Sequence, residues 1–273
     1  MTIMTTGFIP CGAKMPIIAL FAGALFGGSA LVATSAYFIG VAAVVISGIM
    51  LKKFKAFAGE PAPFVMELPA YHAPSASNVL RSMWERGWSF IKRAGTIILL
   101  STIILWFLSN FGFADGGFGW VEDSDASLLA AVGSVIAVIF IPLGFGNWQA
   151  AVATITGLIA KEEVVSTMQV FYPGDLIANI AMAFTAASAY SFMVFNLLCA
   201  PCFAAMGAIK REMNNAKWTW AAIGYMCGFA YVASLIVYQL GGLFTGAVTF
   251  GVWTVVALAA LAAIIYLLVR KGY

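Results

Sequence analysis

Charge is what this sequence has least of. Lys and Arg number 14 and Asp and Glu 11 among 273 residues, so 9% of positions are charged, against about 25% in a soluble domain. So few ionic groups cannot cover a water-exposed surface of this size, which excludes a soluble enzyme, a nucleic-acid binder and a secreted disulfide scaffold together. The net charge of +3 provides no basic field, so nucleic acid is not an expected partner. Histidine occurs once, at His72, which excludes a histidine-rich metal site. Four cysteines are too few for a disulfide framework in a chain this long, and Cys199, Cys202 and Cys227 sit in apolar runs. No phosphate loop, GxSxG, HExxH or EF-hand pattern occurs, so neither an enzyme nor a bound cofactor is expected. Met1–Ile9 has no basic stretch and no small-residue cleavage site, and does not read as a cleavable signal peptide. What is abundant is hydrocarbon: 63% of the residues are hydrophobic and the mean hydropathy is +0.98. The expectation is an all-α, polytopic integral membrane protein whose first partner is the lipid bilayer.

Crossing the hydrocarbon takes about 20 mostly apolar residues in a helix, and reading for such runs gives about eight membrane segments, some of them short or broken. They are Pro16–Phe26, Leu31–Leu51, Ala94–Phe113, Leu128–Phe145, Trp148–Ala160, Leu176–Ile209, Trp218–Leu240 and Phe250–Val269. Pro201 interrupts the sixth, whose start at Leu176–Met182 also reads as a surface or re-entrant piece. Orientation follows from the basic residues. Lys52, Lys53, Lys55, Arg81, Arg86, Lys92 and Arg93 share one hydrophilic loop, whereas Asp115, Glu122, Asp123 and Asp125 occupy the next. Lys210, Arg211 and Lys217 form a second basic cluster, and Arg270 with Lys271 a third. If Trp148–Met168 and Ala183–Ile209 each cross once, every basic cluster falls on the cytoplasmic side, the C-terminus included.

Four features break the apolar background. Gly7-Phe-Ile-Pro-Cys-Gly-Ala-Lys-Met-Pro16 cannot be continuously helical, and open backbone at membrane depth survives only where protein buries it or water lines it. Cys11 there either handles a soft metal ion or fills a turn. In Gly157-Leu-Ile-Ala-Lys-Glu-Glu163 a helix starting near Trp148 places Lys161 about 20 Å along its axis. Such a charge must face the bundle interior or sit at an interface. Cys199-Ala-Pro-Cys202 puts Phe195, Cys199, Cys202 and Met206 on one face of a continuous helix, as soft ligands or as packing. The stretch Pro63–Pro74, followed by Trp84–Arg93, reads as an extended loop and an amphipathic lead-in, either a docking surface or a plain connection.

These four motifs, in this order, resemble the membrane domain of the ferrous iron transport protein B (FeoB) family. The matching segments are Phe8–Pro16, Pro63–His72, Phe90–Ile98, Gly144–Gln149 continuing to Ala160-Lys-Glu162, and Pro201-Cys202 with Ile209-Lys-Arg-Glu212. The resemblance implies import of Fe²⁺ across the bacterial inner membrane by a permease with Gate elements related to nucleoside-recognition proteins. It divides the chain into residues 1–87, carrying the Cys11 motif, a second Gate-like element over 88–168, and C-terminal helices over 169–273. It also implies that the GTP-binding domain and first Gate lie elsewhere, the chain being a fragment or a split subunit, and that GTP acts only through that portion. The family's metal-handling cysteines map to Cys11 and Cys202. Cys199, one turn before Cys202, Glu162, and Asn147 as an oxygen donor at a helix start complete the candidate metal ligands. The implied partners are Fe²⁺, the N-terminal half, a small cytoplasmic Feo accessory protein and further copies of the chain. The alternatives are a Gate-type permease for nucleosides or other solutes, and a membrane subunit with no route of its own.

Overall fold

The computed structural model describes residues 1–54, 74–93, 95–96, 99–114, 117–121 and 127–270. His72, the Pro61–Pro69 stretch, and Asp115, Glu122, Asp123 and Asp125 lie outside the described residues. The chain opens with α1 (Thr2–Thr6), a 3₁₀ turn (Gly12–Lys14) and α2 (Met15–Phe26). Pro16, without a hydrogen-bonding N–H, is tolerated at the start of α2, and Gly27 ends that helix with φ +58°. The helices α3 (Ala30–Lys52), α4 (Ala76–Arg93) and α5 (Leu99–Asn110) follow. A small hairpin then pairs β1 (Phe111–Ala114) antiparallel with β2 (Gly117–Trp120), a local departure from an otherwise helical chain. The remainder is α6 (Leu128–Phe140), α7 (Trp148–Ile159), α8 (Glu163–Phe171), α9 (Leu176–Ala183), α10 (Ala186–Leu198), α11 (Phe203–Met213), α12 (Ala216–Thr245) and α13 (Val252–Val269).

Side-chain caps set many of these boundaries. Ser127, Asn147, Asp175, Thr185 and Asn215 each accept a backbone N–H in the first turn of the helix that follows, which gives an acceptor to donors that have no partner within the helix. Four stretches among the described residues are long and apolar enough to cross a membrane: Ala30–Lys52, Ala186–Met213, Ala216–Thr245 and Val252–Val269. Leu128–Leu143 and Trp148–Ile159 meet at 97° and make a fifth if they count as one broken span, while Gly12–Phe26 is apolar but shorter. Leu176–Ala183 is a helix of its own, separated from α10 by Phe184 and Thr185.

The bend after α6 depends on residues far away in sequence. Gly144 sits at φ +85°, and a Cβ there would overlap the Tyr238 ring, so glycine is required on both counts. The carbonyls released by the bend are taken up by side chains. Ser191 donates to Leu143 O at 2.8 Å, Gln239 to Pro142 O at 2.8 Å and Tyr231 to Ile139 O at 2.9 Å. Without these donors the carbonyls would stand unpaired inside hydrocarbon.

Two contacts bring the basic ends together. Lys53 Nζ donates to Leu268 O at 2.6 Å, joining the end of α3 to the end of α13 next to Arg270. Ser47 and Tyr225 share a hydrogen bond of 2.6 Å, setting the last turns of α3 beside the N-terminal third of α12, whose first turn carries Lys217. Lys52, Lys53, Lys217 and Arg270 therefore gather at one end of the bundle. Along α4, Val79, Leu80, Met83, Trp84, Trp88 and Ile91 are all exposed, and Trp84 stacks on Trp88 at 6.1 Å.

Candidate functional site

Three interrupted segments meet inside the bundle. The first is the turn between α1 and α2. It packs against Gly40, near the middle of α3, where a Cβ would stand 2.9 Å from both Phe8 O and Pro10 Cδ. Its neighbour on the other side is α12, since a Cβ on Gly7 would meet Met226 Sδ at 2.6 Å. The non-helical backbone of Gly7–Cys11 thus lies at mid-span depth.

The second interruption separates α7 from α8. Ala160 is extended (φ −147°, ψ 134°) and the next helix begins only at Glu163. The break turns Lys161 inward, 1% exposed, and leaves Glu162 exposed on the outside. The third separates α10 from α11. Pro201 removes an N–H and forces Ala200 out of the helical region, so Cys199 ends one helix and Cys202 begins the next, both extended. The single helical face through Phe195, Cys199, Cys202 and Met206 therefore does not exist. Pro201, which interrupts the run, removes the helix on which that face was drawn.

Two buried lysines tie the breaks together. Lys14 Nζ donates to Gly7 O at 2.9 Å and to Leu197 O at 2.6 Å. Lys161 Nζ donates to Cys199 Sγ at 2.9 Å. Both ammonium groups thus sit at the C-terminus of α10, where unsatisfied carbonyls concentrate partial negative charge. Cys199 ends α10, Cys202 begins α11, and Cys11 shares a cavity lining with Cys202 and both lysines, so these three cysteines are drawn towards the α10–α11 break.

Beside this junction lies a cavity of about 360 Å³. Cys11, Lys14, Lys161, Cys202, Ile209 and Glu212 are among its lining residues; the two lysines are buried, Cys202 is half-buried and Cys11 is exposed. Its lining holds no aromatic ring and no amide side chain. Among the described residues, no three His, Cys, Asp or Glu side chains are arranged to hold one metal ion, so the thiols form no closed cage.

Of the residues singled out from sequence, Cys11 and Cys202 line this cavity and Cys199 stands directly behind it, held by Lys161. Glu162 and Asn147 are not brought there. Asn147 caps α7, its Oδ1 accepting Ala150 N–H at 2.8 Å. Lys161 was expected in the bundle interior or at an interface, and it is in the interior, bonded to Cys199; the bonds of Lys14 to Gly7 and Leu197 were not foreseen. The signal for the lysines was present, since a cation inside an apolar run must find acceptors.

The family model described as "Ferrous iron transport protein B C terminus" matches residues 33–86, and the Gate model, described as "Nucleoside recognition", matches residues 91–216. The Fe(2+) transporter FeoB of Staphylococcus aureus (strain COL) is 38% identical over 248 residues, covering 89% of this chain and 36% of that protein. The Methanocaldococcus jannaschii transporter of the same name is 37% identical over 254 residues, covering 89% of this chain and 37% of its own. A Porphyromonas gingivalis protein named Fe(2+) transport protein A/Fe(2+) transporter FeoB fusion protein is 30% identical over 292 residues, 89% of this chain and 34% of that one. No solved structure matches. Fold and matches together define a Gate-containing polytopic membrane protein. The chain belongs to the ferrous iron transport protein B family, and it spans about a third of the length of the curated relatives it matches.

Proposed function

We propose that this chain forms part of a route for Fe²⁺ across a bacterial inner membrane. The observation that carries this reading is the convergence of three helix breaks on one cavity lined by Cys11 and Cys202. Broken helices supply binding groups at mid-membrane in many transporters, with helix C-termini directed at cations. Thiol, carbonyl and carboxylate donors suit a borderline divalent ion. Glu212, an exposed residue of the same lining, offers a carboxylate to an ion leaving the cavity.

The relatives named Fe(2+) transporter FeoB favour Fe²⁺ over a nucleoside or another solute as the cargo. The gathering of Lys52, Lys53, Lys217 and Arg270 at one end supports an orientation with that end, and the C-terminus, in the cytoplasm. The partners we propose are the N-terminal GTP-binding and first Gate portion of a whole transporter, a small cytoplasmic accessory protein of the kind fused to the Porphyromonas relative, and further copies of the chain.

The test is uptake of radiolabelled Fe²⁺ by cells that lack ferrous import and carry a complete transporter containing this segment. Cys11→Ser combined with Cys202→Ser is expected to lower the uptake rate about tenfold or more, the equivalent of roughly 1.4 kcal/mol in a rate-limiting step, with unchanged membrane insertion. Wild-type uptake in the double variant would remove the cavity from the route.

A further inference from the structure

Among the described residues, two buried side-chain oxygens have no hydrogen-bond partner, Asn196 Oδ1 and Thr154 Oγ1. An unpaired acceptor inside a protein calls for an explanation, and an ion or a water in transit is one of the few available. Asn196 is fully buried on α10, one turn before Cys199. Its Nδ2 donates to Phe192 O at 3.1 Å, and because a carbonyl only accepts, this bond fixes the amide and turns Oδ1 the other way. Oδ1 then faces the last turn of α7, since a Cβ on Gly157 would stand 3.6 Å from it. Thr154 lies three residues before Gly157, on the same side of α7. Both unpaired oxygens therefore belong to the elements that end at the Lys161 and Cys199 breaks.

Lys161 supplies the second half of the inference. Its ammonium is buried against Cys199 Sγ, at the negative end of α10, where an unattached cation would also be stabilised. We propose that Asn196 Oδ1, Cys199 Sγ and the C-terminus of α10 form an inner cation site, next to the Cys11–Cys202 cavity, in which the Lys161 ammonium is the resident occupant that an incoming Fe²⁺ displaces. The inference rests on the reading of the chain as part of an Fe²⁺ route. Thr154 Oγ1 is the second unpaired oxygen, on α7. Lys161 already lines the cavity, so its side chain has space to withdraw into when the ion arrives. The tethered charge compensates Cys199 Sγ and the C-terminus of α10 between ions, and Asn196 Oδ1 stays unpaired until an ion arrives.

The test is equilibrium binding of Fe²⁺ to the full chain in lipid nanodiscs under anaerobic conditions. Lys161→Met removes the competing charge and is expected to tighten Fe²⁺ binding about tenfold, while Asn196→Leu weakens it by a similar factor and Asn196→Asp tightens it. A purely structural role for Lys161 would give weaker binding or none, so unchanged or weaker affinity in Lys161→Met overturns the inner site. Should Lys161→Met fail to assemble, Asn196→Asp decides: tighter binding supports the site, and unchanged or weaker binding overturns it. Binding that is lost in Cys11→Ser/Cys202→Ser but unaltered in both the Lys161 and Asn196 variants overturns the inner site and leaves the thiol cavity standing. No saturable binding by the wild-type chain overturns the Fe²⁺ reading and this inference with it.

Discussion

Gly40→Leu is expected to abolish assembly of the bundle. The position is near the centre of α3, and the first added carbon already lies 2.9 Å from the Phe8 carbonyl and from the Pro10 ring. Neither neighbour can withdraw cheaply. Pro10 is held by its ring, and Phe8 is fully buried with its own ring 5.0 Å from that of Phe229. A leucine would push the Gly7–Cys11 turn away from α3, opening non-helical backbone at a depth where lipid offers it no partner. Overpacking of this kind costs about 1–3 kcal/mol in a soluble core, and the loss of shielding for backbone polar groups adds about 1–3 kcal/mol for each one left unpaired. The measurement is the monodisperse fraction after detergent extraction, expected to fall to near zero. A wild-type elution profile would show that the turn does not pack on α3 as described.

Lys14→Met is expected to have the second-largest effect. The methionine keeps the length of the side chain and removes the donors to Gly7 O and Leu197 O, bonds of 2.9 and 2.6 Å. Charged hydrogen bonds of this sort contribute about 1.5–3 kcal/mol each. Relief from burying an ammonium offsets part of that loss, leaving a net destabilisation on the order of 2–4 kcal/mol. Thermal unfolding in detergent should show a lower midpoint for Lys14→Met and a smaller decrease for Lys14→Arg, which keeps the charge and the donors. A midpoint unchanged in Lys14→Met would mean that the lysine does not fasten α2 to the end of α10.

Much of this arrangement was legible in the residues before any coordinates. The breaks at Gly7–Cys11 and Cys199–Cys202 follow from Pro10 and Pro201, and the break at Ala160–Glu162 coincides with the charges of Lys161 and Glu162 inside an apolar run. The membrane class followed from the scarcity of charge. What local sequence could not show was the convergence, because the partners that define it are remote: Lys14 with Leu197, Lys161 with Cys199, Gly40 with Phe8. The helical spacing drawn through Cys199 and Cys202 failed because Pro201 ends the very periodicity on which it depended. Asn147 was read as an oxygen donor, yet its place immediately before Trp148 is the ordinary position of a helix cap. Lys161 turns inward and Glu162 outward. Which of the two would turn inward was decided by the extended Ala160, a conformation that the residues around it do not announce.

The central claim is that the helix breaks bring cysteine sulfur to a place where Fe²⁺ passes. X-ray absorption at the iron edge, recorded anaerobically on Fe²⁺ bound to the chain in nanodiscs, tests it most directly. The account predicts sulfur in the iron's first coordination shell at roughly 2.3 Å, the distance usual for thiolate bound to a divalent metal, and its loss in Cys11→Ser/Cys202→Ser. A shell of oxygen and nitrogen alone, the same in wild type and in the double variant, would contradict it.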